Sequence, residues 1–409
     1  MRITINASGQ ILFGTPIDGL VEHARTAEAD GFEGGWINQL SGTDAMTVLA
    51  LVGHATEHIE LGTAVIPTWG HSPDVLAGQA LTAQAASGNR IALGIGLSHE
   101  PSVEARYHVP FERPLRHMRE YLDVLVPLLH ERKVDVVGEI WSCTTEFVVP
   151  PSEAPPVIVA ALGPKMLQLA GERAEGTILW LVGPRTVADH IAPSVNAAAE
   201  AAGRPAPRVI ASLPVCVTDD PGGVRDTVAM ILANYNDLPS YRAMLDREGA
   251  AGPADVAIIG DEDEVAAGLA AFADAGATEF AAVEFTLNDA DAARTRALLK
   301  DLAAAGAEWV QVDEPVMATD LGRAELEALG AVYDSFAREV PELKILLTFY
   351  FGYLGDNLGT TLGLPVAGFH FDLQRGEKDA PAILGSFPKD ARISLGLVNG
   401  RGIWVNDLS

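Results

Sequence analysis

The side chains best placed to do chemistry follow a short apolar strand predicted over residues 91–95. Gly96, Leu97 and Ser98 come directly after it and can offer backbone N–H groups and a hydroxyl to a ligand. His99 comes next, and because a histidine exchanges a proton near neutral pH, it is the candidate catalytic residue. The alternative is that His99 only hydrogen-bonds within its loop.

A second group of candidates lies where a strand predicted over 157–160 turns into a helix. Leu162 and Gly163 precede Pro164, a residue suited to the first helical turn, and Lys165 and Met166 follow. The first N–H groups of a helix have no partner within the helix, so this turn can bind an anion, and Lys165 adds positive charge. The alternative is a solvated lysine at a helix start.

Two further strand ends carry candidate pocket residues. Ala64 and Val65 end a strand predicted over 60–65, and Trp69 follows in the next loop. Trp36 and Asn38 lie at the end of a strand predicted over 34–38. We expect Trp36, Asn38 and Trp69 to line a substrate pocket, although an aromatic residue at a strand end is as often part of the core.

Alternating strands and helices must position these residues. Apolar strand segments are predicted at 2–6, 34–38, 60–65, 91–95, 157–160, 177–181, 209–217 and 279–285, with helical segments between them. This rhythm predicts a complete (β/α)8 TIM barrel over residues 1–300, in which the loops after the strands meet at one mouth. A β-hairpin is predicted within 133–151, and 234–253 reads as mobile.

A second βα series begins where the barrel should end. Residues 302–313 repeat the pattern of 272–284, an Ala-rich helix, a glycine and an apolar strand. Further strands are predicted near Ile345, Phe369 and Ile393, in addition to the one near Trp309, all apolar like fully buried parallel strands. We therefore predict a partial, half β/α barrel over 301–409. Because its edges and inner face are open, a homo-oligomer formed through this unit is expected.

Composition excludes several classes of partner. The formal net charge is −27, which argues against binding to nucleic acid or to an anionic membrane. With only two cysteines, no signal-peptide pattern and no run of about 18 apolar residues, the chain is expected in the cytoplasm. His54 and His58 have the spacing of a metal pair, but lack a third ligand, so no metal site is expected.

Residues 1–300 resemble the bacterial luciferase-like superfamily, in the branch that uses the deazaflavin coenzyme F-420. The matching segments are Ala-Glu-Ala-Asp-Gly-Phe at 27–32, Gly-Thr-Ala-Val at 62–65, Ser-Gly-Asn-Arg at 87–90, Leu-Gly-Ile-Gly at 93–96, Ala-Ala-Leu-Gly-Pro-Lys-Met at 160–166 and Gly-Thr-Ile-Leu-Trp at 176–180. The resemblance implies an oxidoreductase that transfers hydride to or from a small organic substrate.

The resemblance also implies roles for the candidate residues. In this superfamily a backbone bulge, often with a non-prolyl cis peptide, supports the coenzyme ring at the position of Ala64 and Val65. The remaining coenzyme contacts would come from Gly96, Leu97, Ser98, Leu162, Gly163, Lys165 and Met166. Related enzymes tend to carry a glutamate where this chain has His99.

One departure from the family narrows the expected reaction. Some deazaflavin enzymes have Asp-His after the second strand, where this chain has Gln39 and Leu40. Neither residue can act as an acid, so reduction of an activated C=C or C=N bond, with His99 or water as proton source, is expected. The alternatives are an FMN-dependent monooxygenase of the same superfamily, a non-catalytic coenzyme-binding or scaffold protein, and an inactive fusion.

Residues 301–409 resemble part of the N-terminal barrel of cobalamin-independent methionine synthase. The matching segments are Glu-Trp-Val-Gln-Val-Asp-Glu-Pro at 308–315, Tyr-Phe-Gly at 350–352, Gly-Asp-Asn-Leu at 355–358, Phe-His-Phe-Asp at 369–372 and Gly-Arg-Gly-Ile-Trp at 400–404. In that family zinc and homocysteine belong to the C-terminal barrel, to which nothing here corresponds. Methionine synthase activity is therefore not expected.

Overall fold

The structure is a computed structural model that describes residues 1–39, 42–305, 309–319, 321–339, 344–349, 353–373, 376–389 and 391–396. The chain divides into two compact units, Met1–Gly306 and Ala307–Ser409. Of the residues singled out above, Leu40, Glu308, 350–352 and 400–404 lie outside the described residues.

The first unit is a closed barrel of eight parallel strands, which confirms the predicted TIM barrel. The strands pair in chain order and the eighth pairs with the first, as the register Arg2 with Glu279 shows. A short strand, Ile258–Gly260, pairs with the seventh strand outside the ring. The eight strands, called barrel strands 1 to 8, are Arg2–Asn6, Gly34–Ile37, Glu60–Thr63, Ile91–Gly96, Val157–Ala160, Gly176–Trp180, Arg208–Val217 and Glu279–Glu284.

Helices surround the barrel and begin at recognisable signals. Proline occupies the first turn of many of them, and Asp261 and Glu264 form a capping box at the start of one. The helices are Ser8–Leu12, Ile17–Ala29, Ala45–Ala55, Pro73–Ala86, Glu100–Tyr107, Pro114–Glu131, Pro164–Arg173, Pro184–Thr186, Ala192–Ala201, Pro221–Ile231, Pro239–Glu248, Pro253–Val256, Glu262–Asp274 and Asp289–Ala305. The predicted hairpin is present as the antiparallel strands Lys133–Val137 and Ser142–Glu146.

The amino-terminal end of the barrel is filled by an ion-pair network. Arg208 donates to Glu60 at 2.7 Å and to Glu279, whose side chain is 2% exposed. The indole Nε1 of Trp36 donates to Oε1 of the same Glu279 at 2.6 Å, and Thr4 adds a further bond at 2.9 Å. Several donors therefore satisfy the buried Glu279 carboxylate at this end of the barrel.

The second unit contains the four predicted strands, paired in parallel and in chain order. They are Trp309–Asp313, Lys344–Phe349, Gly368–Asp372 and Arg392–Gly396, with helices Arg323–Glu339, Leu358–Leu362 and Ala380–Ser386. One face of the sheet is apolar, where Leu347 and Phe369 share a core with Tyr333 and Ile383 of the helices. The strands alternate, because Thr348, His370 and Ser394 lie in register on the opposite face. The prediction of uniformly apolar strands is therefore wrong in this respect.

Candidate functional site

A cavity of about 590 Å³ opens at the carboxyl ends of the barrel strands. Cavities of this size hold drug-sized ligands and cofactors, and in barrels of this kind active sites lie at this face. The predicted residues that line it are Asn38, Ala64, Val65, Gly96, Leu97, Ser98, His99, Leu162, Gly163 and Met166. The three-dimensional fold thus brings together residues from four separate strand ends.

The wall after barrel strand 3 is tied to barrel strand 4. The hydroxyl of Thr63 donates to the Gly94 carbonyl at 2.7 Å and accepts from the Gly94 N–H at 2.8 Å. A Cβ atom on Gly94 would lie 1.8 Å from the Thr63 carbonyl oxygen, so only glycine fits there. The peptide that follows, between Ala64 and Val65, is cis, as the resemblance implies.

His99 lies at the cavity and packs against two tyrosines, whose own ring centroids are 4.7 Å apart. Its ring centroid is 5.8 Å from that of Tyr235 and 5.4 Å from that of Tyr241, with the rings nearly perpendicular in both pairs. Burial lowers the pKa of His99 below its usual value of 6.5. The imidazole is therefore neutral at pH 7, a state suited to accepting a proton.

The two tyrosines come from a segment that the sequence had suggested to be mobile. Tyr241 belongs to the helix Pro239–Glu248, and Tyr235 to the short turn before it. At the end of that helix, the Glu248 carboxylate accepts from the N–H and the hydroxyl of Thr186, both at 2.7 Å. The structure thus places a helix in this segment, and the Glu248 carboxylate satisfies a neighbouring helix start, a long-range contact that no local pattern reveals.

Asn6 and Ser212 form a hydrogen-bonded floor that the sequence analysis missed. Asn6 Nδ2 donates to Ser212 Oγ at 3.0 Å, and Ser212 Oγ donates to the Ala281 carbonyl at 2.7 Å. Asn6 Oδ1 accepts from the Ser8 N–H at 3.0 Å. These contacts join barrel strands 1, 7 and 8, and they hold both side chains in one orientation.

Gln39 also lines the cavity and is held by two protein groups. Its Oε1 accepts from the Ala45 N–H at 3.2 Å, and its Nε2 lies 2.8 Å from Nε2 of His71. The Nδ1 atom of His71 lies 2.8 Å from the Pro67 carbonyl oxygen.

The charge of the cavity differs from that of the chain. Although the net charge is −27, no aspartate or glutamate is found among the described residues that line the cavity, and Arg106 is their one permanent charge. Lys165 is exposed at the second position of the helix Pro164–Arg173. Neither cation forms an ion pair within the described part of the chain, so both are available to an anionic ligand.

The fold and these residues agree with comparisons to known proteins. Residues 2–279 match the family model described as luciferase-like monooxygenase. The chain belongs to this luciferase-like family. Residues 272–409 match the model described as cobalamin-independent synthase, N-terminal domain.

Two solved structures share the luciferase-like fold. One is the coenzyme F-420-dependent tetrahydromethanopterin reductase from Methanopyrus kandleri, with a TM-score of 0.61, 20% identity, and coverage of 74% of this chain and 97% of that one. The other is a type II Baeyer-Villiger monooxygenase from Pseudomonas putida in complex with FMN, with a TM-score of 0.58, 16% identity, and coverage of 74% and 97%. At these identities the likeness shows the fold alone.

The C-terminal unit has closer sequence relatives. The 5-methyltetrahydropteroyltriglutamate–homocysteine methyltransferase of Rhodopseudomonas palustris is 53% identical over 111 residues, which are 27% of this chain and 14% of the relative. The chain therefore spans about one seventh of the length of the curated relatives it matches.

Three predicted site residues do not line the luciferase-like cavity. Trp36 is 2% exposed in the barrel interior, where its indole binds Glu279. Trp69 stacks on His117 with centroids 3.9 Å apart, and Lys165 is exposed beside the cavity. Asn38 does line it, and its Oδ1 is buried with no hydrogen-bond partner among the described residues.

Among the described residues, no group of three or more His, Cys, Asp and Glu side chains could hold a metal ion. His58 is 85% exposed and lies beyond the end of the helix Ala45–Ala55, so it does not share a helix face with His54. In the second unit, burial raises the pKa of Glu314, which follows the strand Trp309–Asp313. No helix in the described part of the chain is long and apolar enough to cross a membrane.

Proposed function

We propose that this chain is a deazaflavin-dependent oxidoreductase that uses coenzyme F-420 to transfer hydride to or from a small organic substrate. The observation that carries the proposal is the barrel-mouth cavity, whose described lining residues include no acidic side chain in a strongly acidic protein. A polyanionic coenzyme cannot enter a cavity lined by carboxylates without a large electrostatic cost. The lining of this cavity removes that cost and offers Arg106 instead.

The residues around the cavity fit such a coenzyme. The first turn of the helix Pro164–Arg173 presents N–H groups for an anionic tail, and Lys165 adds charge beside it. Leu162, Gly163 and Met166 would contact the same end. At the other end, Ala64 and Val65 would support the ring, while Gly96, Leu97 and Ser98 would contact it through backbone groups. When bound, the coenzyme supplies or accepts a hydride, chemistry that no side chain provides.

His99 is the proposed proton-transfer residue. It lines the same cavity, and its neutral imidazole can take a proton from a substrate as hydride leaves, or hold one for return. In this proposal Trp36 is not a substrate contact, because its ring is buried and its indole binds Glu279.

We also propose that the protein is a cytoplasmic homo-oligomer. Both cysteines, Cys143 and Cys216, are free thiols, which agrees with a reducing compartment.

Coenzyme binding tests the proposal. The purified protein is titrated with F-420 and, separately, with FMN by calorimetry, and tighter binding of F-420 is expected. Lys165→Glu should weaken F-420 binding by about three- to tenfold, a modest effect because solvent screens an exposed charge. Lys133→Glu is the matched control: it makes the same charge change on the hairpin, where Lys133 pairs with Glu146. Preferential FMN binding, or an equal response of both variants, would rule out the assignment.

A further inference from the structure

The hydrogen bonds around Gln39 determine which way its amide points. The carbonyl of Pro67 can only accept, so the nitrogen of His71 that faces it, Nδ1, must carry a hydrogen. In a neutral imidazole with its hydrogen on Nδ1, Nε2 has a lone pair and can only accept a hydrogen bond. The group that faces Nε2 at 2.8 Å must donate, and it is the amide nitrogen of Gln39.

The other end of the amide gives the same answer independently. The backbone N–H of Ala45 can only donate, and it faces Oε1 of Gln39 at 3.2 Å. A flipped amide would set its NH2 group against the Ala45 N–H and its oxygen against the lone pair of His71. Because both contacts would then fail, the orientation is fixed by chemistry, whereas that of an isolated glutamine amide is ambiguous.

An amide nitrogen has two hydrogens, and His71 takes one of them. Gln39 borders the cavity, and the anionic groups of a ligand have Arg106 and the helix start at Pro164 as stronger partners. We propose that the second N–H of Gln39 is a fixed hydrogen-bond donor to a carbonyl oxygen of the bound ligand. That oxygen belongs either to the coenzyme ring or to the substrate. His71 is the positioning residue that holds the donor in place.

This inference gives the position after barrel strand 2 a role without acid–base chemistry. A glutamine cannot deliver a proton, but a preorganised N–H group stabilises negative charge on a carbonyl oxygen. It also indicates a substrate class if the substrate is the partner, namely a ketone, an enone or an amide. The inference rests on the proposed function only through the choice of coenzyme probe.

The test compares Gln39→Met, which keeps the length of the side chain but has no donor, with the wild type. Gln168→Met is the matched control, since Gln168 is exposed, does not line the cavity and bonds only Glu172 among the described residues. Calorimetry measures the binding of F-420 alone, and then of 2-cyclohexen-1-one to the F-420-loaded protein. A loss of about tenfold, the value of one hydrogen bond, is expected in one of these affinities.

The step that weakens identifies the source of the carbonyl. Weaker F-420 binding assigns it to the coenzyme, and weaker enone binding with F-420 unchanged assigns it to the substrate. Gln39→Glu, in which the NH2 group becomes an oxygen, should weaken the same step and guards against a folding artefact in the methionine variant. Both affinities unchanged in both variants would overturn the proposal.

Nitrogen NMR of the free protein gives a further readout that needs no ligand. The Nε2 atom of His71, assigned with His71→Asn, should have the chemical shift of an unprotonated nitrogen. A protonated Nε2 would overturn the orientation of Gln39, whatever the coenzyme. If the wild type binds FMN and not F-420, the proposed function fails, but the same titrations with FMN still test Gln39.

Discussion

His117 should make the barrel measurably sensitive to mild acid. It lies in the helix Pro114–Glu131 with no exposed surface, its Nε2 3.0 Å from the Thr68 hydroxyl and its ring stacked on Trp69. Burial lowers its pKa from 6.5 to about 4, only partly opposed by Glu120. A group with a depressed folded pKa costs stability as pH falls below its unfolded pKa.

The size of the effect follows from the two pKa values. At 1.36 kcal/mol per pH unit, the difference between 6.5 and about 4 corresponds to about 3 kcal/mol. This stability is fully present above pH 6.5, falls between pH 6.5 and pH 4, and changes little below that. His117→Phe keeps a flat ring between Trp69 and Tyr121 and cannot be protonated. Between pH 6.5 and pH 4 its free energy of unfolding should therefore fall by about 3 kcal/mol less than that of the wild type. At pH 7 the variant should be less stable than the wild type by about 1 kcal/mol, because it lacks the hydrogen bond to Thr68.

Urea unfolding at pH 7, 6, 5 and 4, followed by tryptophan fluorescence, measures both quantities. His23 is a half-buried histidine whose pKa is also lowered to about 4 by burial, but it is present in both proteins and cancels from the difference. The control is His58→Gln, because this side chain is 85% exposed. If wild type and His117→Phe lose stability in parallel between pH 7 and pH 4, the imidazole is not held neutral by burial and the reasoning is refuted.

Three further predictions follow from the same structure. His99→Ala should lower turnover by about 10² with little change in coenzyme affinity. If His99 is a base, kcat/KM of the wild type should rise with pH and then level off, with the midpoint of the rise below pH 6.5. Equal turnover in the variant and the wild type would make His99 structural. Arg208→Met should lower the free energy of unfolding by about 3 kcal/mol, because it leaves the buried Glu279 short of a cation; chemical denaturation measures this, and a loss below about 1 kcal/mol would contradict it. The full chain should be a homo-oligomer through residues 301–409, because within its described residues the sheet of the second unit ends in the strands Trp309–Asp313 and Arg392–Gly396. A monomeric mass in light scattering would count against this.

Most of the barrel could be predicted from sequence because its signals are local. Apolar strand segments alternate with helices that start at proline or aspartate. Parallel strands that are buried on both faces appear in the sequence as continuous apolar runs, so they can be predicted without further information. The loops after strands then had to meet at one mouth, which is why Gly96, Ser98, His99 and Leu162 were found together in the cavity. The order of the elements alone carried that inference.

The sequence was less informative wherever a residue's role depends on a distant partner. Trp36 occupies a strand end like Asn38, yet only the tertiary structure shows that its indole turns to Glu279, more than two hundred positions away in the chain. The same holds for Tyr241, whose helix is held by a contact between Glu248 and Thr186.

The sequence by itself determined the two βα series, the family of the first, and the strand ends at which ligand contacts would lie. Only the tertiary structure decided which side chains face the cavity, that His99 is neutral beside two tyrosines, and that Gln39 is oriented by His71. The physical reason is that the hydrophobic periodicity that predicts strands and helices is a local pattern, visible within about 11–18 residues. Burial, pKa and hydrogen-bond direction depend on whichever groups the folded chain brings within a few ångströms.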